Sequence, residues 1–141
     1  MKKTVIFDLD GTLAIIEKRR IKSGSPTGKT PTPNKMDWDV FFDAENIKLD
    51  EPNEPVIKMA QLFAEDGFNI VIFSGRNDRS FLTTKSWLSK YRVPFHKLVM
   101  RPDKFLKRGD KIADGNPATQ DMRFMPDEIL KKKMLDTFVD I

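Results

Sequence analysis

Two short apolar runs set the frame for this chain: Val5-Ile6-Phe7 near the start and Ile70-Val71-Ile72-Phe73 near the middle. Neither alternates with polar residues, and unbroken β-branched runs of this length belong to strands buried on both faces of a parallel sheet. Between them Val56, Met59, Ala60, Leu62 and Phe63 recur at helical spacing from Pro55 to Glu65, with Gly67 where a helix stop belongs. Strand, helix and strand in that order predict a right-handed βαβ unit, the second strand being read as Phe68 to Phe73 and ending at Ser74-Gly75-Arg76. Phe81, Trp87, Leu88 and Tyr91 mark a further helix, Val93-Pro94 a turn, Lys97 to Met100 a third short strand, and Asp127 to Asp136 a helix. The expected fold is α/β, a doubly wound, Rossmann-like parallel sheet with helices on both faces.

The stretches between these elements read as loops. Ile16 to Pro33 holds charge, then Ser23-Gly24-Ser25-Pro26-Thr27-Gly28 and two prolines, which predicts a mobile loop inside an insert from about 14 to 50. Asp37-Trp38-Asp39-Val40-Phe41-Phe42 is either one short helical turn or an aromatic anchor for that loop. Residues 102–126 contain Pro102, Pro117 and Pro126 among Lys, Asp and Gly, a second long loop. Thr137 to Ile141 has the look of a lead-in to another strand. With 141 residues, one domain over 1–141 is expected.

Composition narrows the chemistry. The chain has no cysteine, which excludes a disulfide framework, thiolate metal sites and a cysteine nucleophile. Its single histidine, His96, gives no second member for a serine and histidine triad and is read as packing. After Met1-Lys2-Lys3 the apolar run is broken by Asp8 and Asp10, so no secretion signal is read, and no stretch approaches the roughly 18 apolar residues of a membrane span. A cytoplasmic protein is expected. The formal charge of +4 is gathered into Lys18, Arg19, Arg20 and Lys22, then Arg101, Lys104, Lys107, Arg108 and Lys111, then Lys131 to Lys133. Such runs suit a polyanionic partner, and equally a solvated face.

The sharpest chemical feature is Phe7-Asp8-Leu9-Asp10-Gly11-Thr12, where a buried strand runs out into a turn. Carboxylates at i and i+2 of a strand project the same way, here into the crevice at the C-terminal edge of the sheet. Two anions so close call for a cation, and a hard oxygen site suits Mg²⁺, held by Asp8 and Asp10. Asp8 is then placed to attack phosphorus, with Asp10 giving a proton to the leaving oxygen and later activating water. Gly11 allows close backbone approach, and turn N–H groups can hold phosphoryl oxygens.

Val-Ile-Phe-Asp-Leu-Asp-Gly-Thr-Leu after a strand resembles the first motif of the haloacid dehalogenase superfamily of phosphohydrolases, which implies Asp8 as nucleophile and Asp10 as general acid/base. Ser74, at the end of Ile70-Val71-Ile72-Phe73, matches that superfamily's second motif, which implies a hydrogen bond to a phosphoryl oxygen. Arg76 beside it is a bidentate donor suited to a phosphoryl oxygen or a neighbouring phosphodiester. Ser74-Gly75-Arg76, Asp37-Trp38, Met100-Arg101 and Asp121-Met122-Arg123 ahead of Asp127-Glu128-Ile129-Leu130-Lys131 together resemble the 3′-phosphatase domains of bacteriophage polynucleotide kinase/phosphatases. The resemblance implies Lys131 as the third-motif lysine, or Lys132 or Lys133 in a slipped register. It also implies substrate contacts from Thr12, Gly75, Arg76, Arg101, Arg123 and Lys35, and a 3′-phosphorylated DNA or RNA end as substrate, reached through an open site with a minimal cap.

One departure tempers this. The superfamily's fourth motif, an acidic pair after another strand, is not found before Ile141, so a weakened metal site is expected unless Asp110, Asp114 or Asp121 fills in. Ser23-Gly24-Ser25-Pro26-Thr27-Gly28-Lys29-Thr30 imitates a phosphate-binding loop without the preceding strand or following helix, so nucleotide triphosphate binding is not expected there. The aromatic set Trp38, Phe41 and Phe42 reads as core anchoring before base stacking. A free nucleoside monophosphate is the alternative substrate. An inactive nucleic-acid-binding remnant is the alternative class.

Overall fold

The computed structural model describes residues 2–24, 38–41, 43–102 and 125–137. Among the described residues the main sheet has three parallel strands in the order β1-β4-β5, where β1 is Thr4–Asp8, β4 Asn69–Asn77 and β5 Lys97–Arg101. Thr4 pairs with Asn69 and Asp8 with Phe73, so the two apolar runs lie side by side in register. The 12-residue helix α4, Glu54–Glu65, carries the chain between them, which makes the expected βαβ unit.

The two faces of the sheet bury different clusters. Phe7, Ile70 and Ile72 pack with Ile57 and Ala60 of α4 and with Trp87 and Leu88 of α5, Phe81–Lys90. Val71, Phe73 and Val99 face the other way, toward Leu130 and Met134 of α6, Asp127–Thr137. With helices on both faces, the α/β doubly wound architecture is the one expected. Residues paired across parallel strands share a face, so Asp8, opposite Phe73, falls on the side of α6.

Two sequence expectations need correction. The stretch from Ile16 is not all loop: Glu17–Lys22 forms the helix α1, because Ile16, Arg19 and Ser23 sit on one helical face and are all buried. The second strand does not stop at Ser74 but runs to Asn77. Ser74 pairs with Met100 and Asn77 with Arg101, so Gly75 and Arg76 have no register partner on β5 and form a bulge.

The insert leaves and rejoins the sheet through a small antiparallel pair, β2 (Ala14–Ile15) with β3 (Glu51–Pro52). Asn53 reinforces the closure, its Nδ2 donating to Thr12 O at 2.8 Å and its backbone N–H to Leu13 O at 3.0 Å. Inside the insert lie α1, α2 (Trp38–Phe41) and α3 (Ala44–Ile47). Phe41 is both helical and buried in the α4 and α5 cluster, so the two readings of that stretch hold together. The expected contacts from Lys35 and Arg123, the acids Asp110, Asp114 and Asp121, the glycine-rich stretch 25–30 and most of the 102–126 loop lie outside the described residues. His96 does more than pack: its Nδ1 accepts the Ile70 N–H at 2.9 Å while its backbone N–H donates to Ile70 O at 2.7 Å, fixing the entry to β4.

Candidate active site

At the C-terminal edge of the sheet, β1 ends on Asp8 and the chain turns back through Gly11. Gly11 N–H donates to Ala14 O at 2.9 Å and Thr12 N–H to Leu9 O at 3.2 Å. Those two N–H groups close the turn itself, so they are not directed outward at a ligand. The turn carries Asp10 away from the strand and into a cluster of ionised side chains.

Asp10 Oδ1 accepts from two guanidinium groups, Arg19 Nη2 at 2.7 Å and Arg76 Nε at 2.9 Å. Behind them sits Asp50, whose Oδ1 takes Arg19 Nε at 3.1 Å and whose Oδ2 takes Arg19 Nη2 at 3.0 Å and Arg76 Nη2 at 2.7 Å. The remaining nitrogen of Arg19 donates to Phe41 O and that of Arg76 to Thr84 Oγ1. Arg19 also stacks on the Phe41 ring, 4.4 Å from its centroid. Both arginines and Asp50 are fully buried, with every guanidinium nitrogen engaged. Arg76 therefore holds carboxylates in the interior and does not reach out from the surface.

The two acids of this cluster respond oppositely. Burial alone would raise Asp10, but Arg76 and Arg19 together outweigh it and hold the carboxyl below its ordinary value. Burial dominates at Asp50 and pushes it up to about 6, against the pull of Arg19 and Arg76 and with help from the charge on Asp10.

On the α6 side, Lys131 Nζ donates to Asp8 Oδ1 at 2.6 Å and pairs with Asp127 Oδ2 at 2.8 Å. Burial would lower the ammonium, and the two carboxylates, Asp127 first, more than reverse this and raise it. Arg101, at the end of β5, donates from Nε to Gly75 O at 2.9 Å and from Nη1 to Met125 O, and its Nη2 lies 3.6 Å from Asp127 Oδ1. It ties α6 to the bulge. Ser74, almost wholly buried, uses its Oγ to accept the Arg76 N–H at 3.1 Å.

Asp8, Asp10, Ser74, Gly75, Arg76, Arg101 and Lys131, all singled out from sequence, are thus gathered on one sheet edge. Arg19, Asp50 and Asp127 were not foreseen as parts of it. For Arg19 the signal was its spacing of three and four residues from Ile16 and Ser23; for Asp127 it was the i,i+4 relation to Lys131. Asp50 carries no local signal.

The donor set also bears on a divalent metal. Among the described residues Asp8 Oδ2 and Asp10 Oδ2 accept no hydrogen bond, while the other oxygen of each is engaged. Two open carboxylate oxygens two residues apart fit a hard cation such as Mg²⁺, which takes one or two carboxylates and completes its shell with water and phosphate oxygens. No group of three or more His, Asp or Glu side chains arranged for a metal occurs among the described residues.

The family model of the polynucleotide kinase PNKP phosphatase domain matches residues 31–140, a span that includes Asp50, Ser74, Arg76, Arg101, Asp127 and Lys131 and begins after Asp8 and Asp10. A chain in the structure of the Pnkp1/Rnl/Hen1 RNA repair complex superposes with a TM-score of 0.60 at 22% identity, over 95% of this chain and 30% of that one. A chain in a second structure of the Pnkp1/Rnl/Hen1 complex gives 0.58 at 22% identity, over 95% and 33%. This chain therefore spans about a third of the length of those solved chains, and the likeness to them is one of fold. No curated protein matches.

Proposed function

The chain belongs to the polynucleotide kinase PNKP phosphatase-domain family, and from that premise we propose that it removes the phosphate from a nucleic-acid 3′ end through an aspartyl-phosphate on Asp8. The observation that carries this reading is the ion pair of Lys131 Nζ with Asp8 Oδ1 at 2.6 Å. A carboxylate at a strand end, two-fifths exposed and held by an ammonium that screens it from an incoming dianion, supports the role of nucleophile.

In the first half-reaction an Asp8 oxygen bonds to phosphorus, the bond from phosphorus to the 3′ oxygen breaks, and that oxygen takes a proton from Asp10. In the second, Asp10 takes a proton from water, the water oxygen bonds to phosphorus, and the bond to Asp8 breaks, releasing phosphate and restoring the proton to Asp10. Arg19 and Arg76 fix one oxygen of Asp10 and leave the other open. They also favour its charged form, which suits the base step; the acid step needs the negative charge of the bound phosphate to bring a proton onto Asp10. The reading gives Ser74, whose Oγ accepts the Arg76 N–H, the role of donating its hydroxyl to a phosphoryl oxygen. Mg²⁺, which Asp8 and Asp10 would hold, would supply positive charge that offsets the repulsion between nucleophile and phosphate. The two-fifths exposure of Asp8 among the described residues supports a site that a polymer end can reach. No helix among the described residues is long and apolar enough to cross a membrane.

The test is Mg²⁺-dependent phosphate release from a 3′-phosphorylated oligonucleotide, a nucleoside monophosphate and p-nitrophenyl phosphate, with Asp8→Asn as control. Release fastest from the oligonucleotide and abolished in Asp8→Asn is expected. Oligonucleotide binding without release from any of the three would sink the enzyme reading, and equal rates on all three would remove the polymer-end preference.

A further inference from the structure

Asp127 opens α6 one turn ahead of Lys131, and its carboxylate hangs over the bulge of β4. A Cβ built on Gly75 would stand 2.0 Å from Asp127 Oδ1, whereas Arg101 Nη2, the nearest atom of any other residue, would be 3.7 Å away. Gly75 does not have a positive φ, so its backbone conformation does not demand glycine. What requires glycine at this position is room for the Asp127 carboxylate.

From that seat Asp127 Oδ2 takes Lys131 Nζ at 2.8 Å, and the same ammonium reaches Asp8 Oδ1 at 2.6 Å. One lysine thus bridges two carboxylates, one of which reacts. We propose that Asp127, seated over Gly75, is the positioning residue that holds Lys131 on Asp8. This rests on the reading of Asp8 as nucleophile. Once an Asp8 oxygen is bonded to phosphorus, Asp8 no longer offers a full charge to its partner. Lysine is a point charge on a flexible four-carbon stem and follows the nearest anion. Asp127 takes no part in bond making, so its charge persists through both half-reactions and keeps the ammonium over the acyl phosphate. A plain role as a first-turn acid, complementing the α6 dipole, would make Asp127 matter for stability and not for turnover, and would not couple it to Gly75.

Gly75→Ala gives a test that changes no charge, since the displaced atom is the far end of a side chain able to swing away. On a 3′-phosphorylated oligonucleotide, Gly75→Ala and Asp127→Ala are each expected to lower kcat about tenfold to hundredfold, as a misplacement near 1 Å does. KM should stay within about twofold, since the bridge acts on the reacting group and not on substrate binding. The double variant should be no slower than Asp127→Ala alone, because the alanine methyl then fills an empty seat. Additive losses, or Gly75→Ala turning over like the parent protein, would overturn the proposal. Circular dichroism checks that the variants fold, and Asp127→Asn serves where Asp127→Ala does not. A second readout needs no turnover: acetylation of Lys131 by acetic anhydride, read by mass spectrometry against Lys132 and Lys133 in the same chain, should quicken several-fold in Asp127→Asn as the lysine is released. An unchanged ratio refutes the bridge even if the protein releases phosphate from no substrate, a result that would separately refute the proposed function.

Discussion

Arg76 Nη2 lies 2.7 Å from Asp50 Oδ2, with neither side chain exposed, and this pair joins the insert to the central strand of the sheet. Because Arg76 also reaches Asp10 and Thr84, no single ammonium can replace its planar fork. Arg76→Lys is expected to leave Asp50 buried and under-paired, a loss of about 3 kcal/mol or more on the scale of broken buried ion pairs. Urea denaturation measures it. A midpoint equal to that of the parent chain would contradict the arrangement.

Asp50 gives the cluster a pH dependence of defined sign. Its folded value, about 6, lies above its ordinary value of 3.8. Between those two values the folded state holds more protons than the unfolded one, so the Asp50 contribution is fully present below 3.8 and is lost as pH rises through about 6. The rise from 3.8 to about 6 corresponds to about 3 kcal/mol across that window. Asp10 acts in the opposite sense and at lower pH: its depressed value stabilises the fold above 3.8 and that contribution is lost as pH falls through its folded value. The measurement is the difference in unfolding free energy between the parent chain and Asp50→Asn from pH 3 to pH 7. The parent is expected to lose stability relative to the variant as pH rises, and a flat difference would refute it.

Why sequence pattern located the strands and the Asp8 strand end but not this cluster follows from the range of the interactions. Val5-Ile6-Phe7 and Ile70-Val71-Ile72-Phe73 are local signals, and each lies within a strand of the sheet. Asp8 follows from its strand end. Arg19 stands within a basic run, Lys18-Arg19-Arg20, that reads as a solvated face; only the turn of α1 separates fully buried Arg19 from its exposed neighbour Lys18. Asp50 meets Arg19 from 31 residues away and Arg76 from 26, across an insert whose closure no local pattern encodes. The bulge at Gly75 and Arg76 likewise depends on how β4 meets β5. It was invisible in a segment that reads simply as the end of a strand.

The three consecutive lysines of α6 offer a direct comparison. Lys131 contacts Asp8, whereas Lys132 and Lys133 have no pairing with it, since successive helical residues point about 100° apart. Lys131→Met is expected to slow phosphate release by about a hundredfold or more, the scale of removing one charge-stabilising donor. Lys132→Met and Lys133→Met should stay within about threefold, acting only through the general basic field that attracts a polyanion. Salt titration separates the two effects: the loss at Lys131 should persist at high ionic strength, while any loss at its neighbours should fade.

The two helices on one face of the sheet end alike but with unlike residues. After α4, Gly67 at φ +86° lets Phe68 N–H reach Phe63 O at 3.0 Å and Gly67 N–H reach Ala64 O at 3.0 Å. After α5 the same pair of bonds runs from Val93 N–H to Leu88 O at 2.9 Å and from Arg92 N–H to Ser89 O at 3.2 Å, with Arg92 at φ +59°. A side chain in the left-handed region costs about 1–2 kcal/mol, and glycine gives back about 0.5–1 kcal/mol through the freedom of its unfolded chain. The first effect is the larger, so Arg92→Gly should stabilise the protein by about 0.5–1 kcal/mol in urea denaturation. Gln61 Nε2 donates to the Arg92 carbonyl at 3.0 Å, a backbone contact that the substitution keeps. The end of α5 leads into the start of β5, at the opposite edge of the parallel sheet from the carboxylates of the site, so phosphate release should be unchanged while the unfolding midpoint rises. A fall in the midpoint would mean that the arginine side chain makes a favourable contact larger than its backbone strain.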